Sequence, residues 1–121
     1  MPKRVLSVGQ CGFDGPRLER LVRDFGAEVV SVSTADEALT ALKQGAFDLI
    51  LINRILDGDG SRGMELISRL HAIPQVKTIT VMLISNYVDA QKAAVSAGAV
   101  MGFGKNDLDT GRAAEVLKPY L

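Results

Sequence analysis

The apolar residues of this 121-residue chain change their spacing repeatedly from one end to the other, and that alternation restricts the folds open to it. Five short apolar runs, RVLSV (4–8), AEVVSVS (27–33), FDLILIN (47–53), TITVMLIS (78–85) and AVMGF (99–103), read as strands. Between them the apolar spacing becomes helical. Leu18, Leu21, Val22 and Phe25 form one stripe, Ala35, Ala38, Leu39 and Leu42 a second, and Met64, Ile67 and Leu70 a third. The alanine-rich YVDAQKAAVSAG supplies a fourth helix and NDLDTGRAAEVLKPYL a fifth. FDLILIN is apolar at nearly every position, which suits a central parallel strand covered on both faces. Strands and helices alternating through short loops predict an α/β fold: a doubly wound, five-stranded parallel sheet with five helices and right-handed crossovers.

Local signals place the element ends. Thr34 and Glu37 have capping-box spacing, so the threonine hydroxyl can take up a free amide of the second helix while the glutamate reaches back. Gly26 and Gly45 stop the first two helices. The third runs from about Arg62 to His71, and the fifth opens at Asn106 or Asp107, with Gly111 weakening it. No repeat or linker divides the chain, so residues 1–121 are expected to form a single domain.

Charge and cysteine content exclude several classes. Fourteen basic and fourteen acidic side chains cancel, removing the long-range field that draws proteins to nucleic acid or anionic membranes. Cys11 is the only cysteine, so neither an intrachain disulfide nor a thiolate metal cage can form. The N-terminal apolar run is too short for a signal peptide or a membrane span, and a cytoplasmic protein is expected.

Several motif-like stretches lack the context their chemistry requires. Gly58-x-Gly60-x-x-Gly63 has the letters of a dinucleotide turn, but NRILD separates it from the strand and no acid ends the next one; it reads as a flexible loop. Asp57, Asp59 and Ser61 alternate like calcium ligands, yet Arg62 and Ser68 stand where glycine and glutamate are needed. Gly9, Gly12 and Gly15 lack a following Gly-Lys-Ser/Thr. His71 reads as a helix C-terminal cap.

In open parallel sheets, ligands bind outside the carboxyl ends of the strands. The residues there are Gly9–Gly12, Asn53–Asp59, Ser85–Tyr87 and Gly104–Asn106. Together with DLILIN, GMELISRL, TVMLIS and AGAVMGFGK, their order along the whole chain resembles the CheY-like receiver domains of two-component response regulators. The resemblance implies a flavodoxin-like sheet of strand order 2-1-3-4-5. In that family an acid pair and a phosphoacceptor aspartate bind Mg²⁺, and a hydroxyl and a lysine contact the phosphoryl group. Carried over, the acid pair falls on Gly9 and Gln10, the phosphoacceptor on Asn53, the hydroxyl on Ser85 and the lysine on Lys105.

Three of these five positions lack the family's chemistry. An amide cannot form an acyl phosphate, so Asn53 is not expected to be phosphorylated. Gly9, Gln10 and Asn53 offer Mg²⁺ no carboxylate, so no metal and no cofactor are expected. With the acids gone, Lys105 should stand alone in a mildly positive pocket, one suited to an anion with Ser85 and Lys105 as contacts. Asn106 replaces the proline that usually follows the lysine, so a trans peptide is expected. Gly102 stands where the family has its switch aromatic, and Phe103 should point to the opposite face. On this account Gly9→Asp, Gln10→Asp and Asn53→Asp together would restore Mg²⁺ binding.

The expected function is therefore an atypical, non-enzymatic receiver in phosphorelay-type signalling, acting by binding a kinase, regulator or effector protein. The alternative is a sensor of a small anionic metabolite or nucleotide in the same pocket. The resemblance also points to a homodimer face on the fourth helix, fifth strand and fifth helix, including Lys92, Val100, Gly102 and Arg112. Neither a nucleic acid nor a membrane is expected as a partner.

Overall fold

A computed structural model describes residues 2–121. The elements are β1 (Arg4–Val8), α1 (Asp14–Asp24), β2 (Glu28–Val32), α2 (Ala35–Gln44), β3 (Leu49–Asn53), α3 (Gly63–His71), β4 (Thr80–Ile84), α4 (Val88–Ser96), β5 (Val100–Phe103) and α5 (Arg112–Leu117). The five strands form one sheet in the order β2-β1-β3-β4-β5, all pairs parallel. Among the described residues, no helix is long and apolar enough to cross a membrane.

Strand alternation sends the buried side chains into two layers. Leu6, Val8, Ile50, Ile52, Val81 and Leu83 face a core closed by α2, α3 and α4, whose buried residues include Ala38, Ile67 and Ala94. Val5, Leu49, Leu51, Met82 and Ile84 face the other, closed by α1 and α5 through Leu18, Val22, Ala113 and Leu117. Every residue of β3 is buried, as its unbroken apolar run requires. Thr34 and Glu37 form the capping box, with Glu37 N–H donating to Thr34 Oγ1 at 3.1 Å and Thr34 N–H to Glu37 Oε1 at 3.1 Å.

The last helix starts later than its sequence predicts. Asn106 and Asp107 lie in a single 3-10 turn, Lys105–Asp107, and α5 begins at Arg112. Gly111 is the reason: its φ of +83° is left-handed and cannot be accommodated inside a right-handed helix. Asp107 instead accepts a hydrogen bond from Gly104 N–H at 2.9 Å and holds the turn.

The β4–β5 ladder contains a register shift, pairing Met82 with Val100 but Ile84 with Phe103. One extra β5 residue leaves backbone groups without strand partners. Gln91, buried on α4, takes them up. Its Oε1 accepts from Gly102 N–H at 3.1 Å, and its Nε2 donates to the carbonyls of Ser85 and Phe103, each at 3.0 Å. Gln91→Leu keeps the size of the side chain and strands the Gly102 N–H and the Ser85 carbonyl, while the Phe103 carbonyl keeps its bond from Ser85 N–H at 3.0 Å. Each unsatisfied buried group costs about 1–3 kcal/mol, so the variant is expected to lose about 3 kcal/mol after partial relaxation. Urea unfolding measures it, and a loss under about 1 kcal/mol would mean that water replaces the amide.

Candidate functional site

The carboxyl ends of β1, β3, β4 and β5 converge at one edge of the sheet, and the five site positions lie there. They do not form one cluster. Asn53, Ser85 and Lys105 line a cleft of about 250 Å³, together with Arg54, Asn86 and Tyr87. Gly9 and Gln10 are absent from its lining and are committed elsewhere.

Asn53 ends β3 and is buried. Its Nδ2 donates to the Gly9 carbonyl at 3.1 Å and to the Ile55 carbonyl at 2.8 Å. A carboxylate only accepts, so an aspartate in this place would set negative oxygen against two carbonyl oxygens. The amide thus has a structural task that the acid could not perform.

Gly9 sits at φ +73°, and a β-carbon there would lie 2.7 Å from Leu56 Cα. Leu56, in the β3–α3 loop, is fully buried beside it. The loop is not the flexible connection its glycines predict. Asp57 N–H donates to the Gly9 carbonyl at 3.0 Å, Leu56 N–H to Ser61 at 2.8 Å, Gly58 N–H to Ser33 at 3.1 Å and Gly63 N–H to Arg54 at 2.8 Å. Gly63 packs so closely on Asn53 O that no side chain fits, so this glycine serves the approach of α3 to β3.

Gln10 turns back toward the sheet. Its Nε2 points at the carbonyls of Val8 and Leu51, each 3.4 Å away, and its Oε1 is buried without a partner. The donor set therefore does not fit Mg²⁺: Gly9 has no side chain, Gln10 faces away and Asn53 is a neutral amide. Restoring the acids would not rebuild the pocket, since position 9 has room for none; the triple replacement expected from sequence fails on sterics before charge matters.

Lys105 does not stand alone. Its Nζ lies 3.4 Å from Asp14 Oδ2, and Asp14 Oδ1 accepts from Arg17 Nη1 at 2.8 Å. Arg17 reaches on to Asp109 at 2.6 Å. Burial pushes the Asp14 pKa up, but the Cys11 thiol, the Lys105 ammonium and the Arg17 guanidinium outweigh it and hold the pKa below the ordinary carboxylate value. Asp14 starts α1, and its place in the first turn of FDGP, just past the strand end, was the available signal for this pair.

Ser85 is buried, and its Oγ accepts from Tyr87 N–H at 3.0 Å. Arg54, one residue past Asn53, lies over the Tyr87 ring at 4.8 Å and brings a second cation to the cleft. Nothing in its sequence neighbourhood marks it, because Tyr87 comes from the next βα unit. Among the described peptide bonds none is cis, so Lys105–Asn106 is trans. Phe103 is buried on the α1/α5 side, while Gly102 faces Gln91 and presses on the Leu83 carbonyl. No aromatic side chain fits at position 102 on this backbone.

No protein-family model and no curated protein matches the chain at the sequence level. Solved structures do match in shape. A CheY-like receiver domain from Methylobacillus flagellatus superposes with a TM-score of 0.80 at 20% identity, covering 100% of both chains. The chemotaxis response regulator CheY4 of Vibrio cholerae gives 0.79 at 19% identity, again covering 100% of both. The Mn²⁺-bound response regulator Rcp1 gives 0.76 at 18% identity, over 98% of this chain and 95% of that one. The chain has the fold of CheY-like response-regulator receiver domains.

Asn53→Asp tests the role of the amide. The new carboxyl loses two buried hydrogen bonds and, facing carbonyl oxygens, has its folded pKa raised above the unfolded value of about 3.9. The folded state then binds the proton more tightly, so the charge penalty is absent below about pH 3.9 and grows as pH rises through the folded pKa. Urea melts are expected to show a deficit of about 3 kcal/mol at pH 8 that narrows toward pH 4. A pH-independent deficit would mean that the carboxylate finds other donors.

Proposed function

We propose that this protein is a phosphorylation-independent receiver, a non-enzymatic protein-interaction module in two-component, phosphorelay-type signalling. The observation that carries the reading is the Asn53 amide, hydrogen-bonded to Gly9 and Ile55 where a phosphoacceptor would need a free carboxylate. The filled space at Gly9 supports it, since the metal-binding acid of that position has nowhere to go. The signalling assignment rests on the receiver fold together with the ordered sequence pattern. No Mg²⁺ is required for the module to work, and its place of action is the cytoplasm.

A protein partner, whether kinase, regulator or effector, is favoured by where apolar surface remains exposed. Tyr87, Val88, Val95 and Met101 are four of the six exposed large hydrophobic residues, and all lie at the start of α4, along it or on β5. This is also the face over which a homodimer would form; of the residues expected there, Lys92 and Arg112 are exposed, whereas Gly102 is buried against Gln91 and Val100 packs into the α1/α5 core. Incubation with acetyl phosphate and Mg²⁺ followed by intact-mass measurement is expected to show no adduct. A stoichiometric adduct on the wild-type chain would overturn the reading.

One observation favours the second reading, a sensor of a small anionic metabolite or nucleotide. Arg54 and Lys105 both line the 250 Å³ cleft, and no carboxylate is among its lining residues. An incoming anion would compete with Asp14 for Lys105. Thermal melts with phosphate, a nucleotide and a dicarboxylate separate the two, since a ligand at 100 times its Kd stabilises by about 2.7 kcal/mol. The first reading expects no shift beyond matched salt; a saturable shift abolished by Lys105→Ala would establish the second.

A further inference from the structure

A separate cleft of about 200 Å³ opens between α1 and the β1–β2 pair, lined by Ser7, Gln10, Glu19, Ser31 and Gly15 among others. Lower on the same face the contact between α1 and the sheet is apolar, through Val5, Leu18 and Val22. Toward the carboxyl end the chain places polar groups instead. Ser7 and Ser31 are register partners on β1 and β2, and the Ser31 hydroxyl donates to Glu19 Oε1.

Two of these polar groups lack any partner among the described residues. Ser7 is 1% exposed and its Oγ makes no hydrogen bond; Gln10 Oε1 is buried and likewise makes none. The orientation of the Gln10 amide follows from its surroundings. Its nitrogen faces the carbonyls of Val8 and Leu51, so a flipped amide would set oxygen against oxygen. The unpartnered end is therefore the acceptor. Leaving such groups unpaired is costly, so they mark a place where a donor from water or a bound molecule is favoured.

The charge of the cleft selects that occupant. Glu19 is the one charged residue lining it, and its nearest cation, Arg23, lies 4.0 Å away on the same helix and is largely exposed. The lining thus presents a carboxylate, an amide oxygen and hydroxyls but no cation of its own, and the long pair to the exposed Arg23 lies outside it. A lone carboxylate with neither a second acid nor a phosphate beside it is a poor seat for Mg²⁺ or Ca²⁺. A group carrying one positive charge and several N–H donors matches the set, because each N–H can meet one acceptor. Gly12 and Gly15 contribute no side chains to the lining, which Cys11, Pro16, Val32 and Ser33 share.

We propose that this cleft binds a small primary ammonium compound, with Glu19 as counter-charge and Gln10 Oε1 and Ser7 Oγ as hydrogen-bonding groups. The site is independent of the receiver reading, since it shares with the five site positions only Gln10, which lies outside the cleft of Asn53 and Lys105.

The test is an NMR titration of the full chain with methylammonium chloride, run beside tetramethylammonium chloride and potassium chloride at equal ionic strength. Tetramethylammonium keeps the charge and lacks N–H donors; potassium keeps the charge alone. Saturable shifts of the Ser7, Gly15 and Ser31 amides with methylammonium only, weakened at least tenfold in Glu19→Gln, are the expected result. Absent shifts, equal shifts with either control, or an unchanged affinity in Glu19→Gln would overturn the proposal. Should Glu19→Gln fail to fold, Gln10→Met provides the second variant with the same expected loss, and the comparison of the three salts on the wild-type chain remains decisive.

Discussion

The side-chain amide of Asn53 holds the carboxyl edge of this sheet together. By donating to Gly9 just past β1 and Ile55 in the loop after β3, it joins two segments that the parallel ladder itself leaves free once the strands end. The Gly9 carbonyl takes a second bond from Asp57, so both of its lone pairs are used and the loop is drawn in over β1. Leu56 follows into the gap beneath and seals it. An aspartate would turn the two side-chain contacts, to the Gly9 and Ile55 carbonyls, from attractive to repulsive. What looks in the sequence like one missing functional group is, in three dimensions, a rebuilt corner in which the amide, the left-handed glycine and the buried leucine depend on each other.

The charges are redistributed in the same way. Lys105 has Asp14 beside it on α1, and the ion pair ties the start of that helix to the end of β5. Arg17 extends the chain of charges to Asp109, whose side chain is 79% exposed, so solvent screens that outer link and the inner pair carries more of the tie. Arg54, held over Tyr87, lines the cleft as a second cation, and Asp14 is not among the lining residues. The result is a cleft whose positive character comes from Lys105 together with Arg54, a residue the sequence pattern does not point to.

The fold was legible in the sequence wherever a local rule decided the outcome. The short apolar runs of the strands, the three apolar helix stripes and the Thr34–Glu37 capping box all depend on residues a few positions apart, and all took the expected form. The start of α5 was missed because the left-handed conformation of Gly111 overrides a helical pattern that otherwise runs through it. Gln91 and Leu56 were missed for another reason. Each sits in a stretch with no local signature, and its role is set by backbone groups 6 to 12 residues away, or by a glycine 47 positions upstream. Of the site, Asn53, Ser85 and Lys105 converge as their order suggests, whereas Gly9 and Gln10 turn to other tasks that no spacing rule records.

Gln91 has one more consequence. By bonding to the ends of both β4 and β5, it fastens α4 to the sheet through three backbone groups, and α4 cannot slide or tilt without releasing them. A surface that moves between two forms pays a conformational-selection tax, because only a fraction of molecules is competent at any moment. The three Gln91 bonds oppose such movement of the α4–β5 surface and so lower that cost. A partner that recognises the surface would find more copies ready, so the extent of complex formation would follow the number of molecules in the cell more than a change in their state.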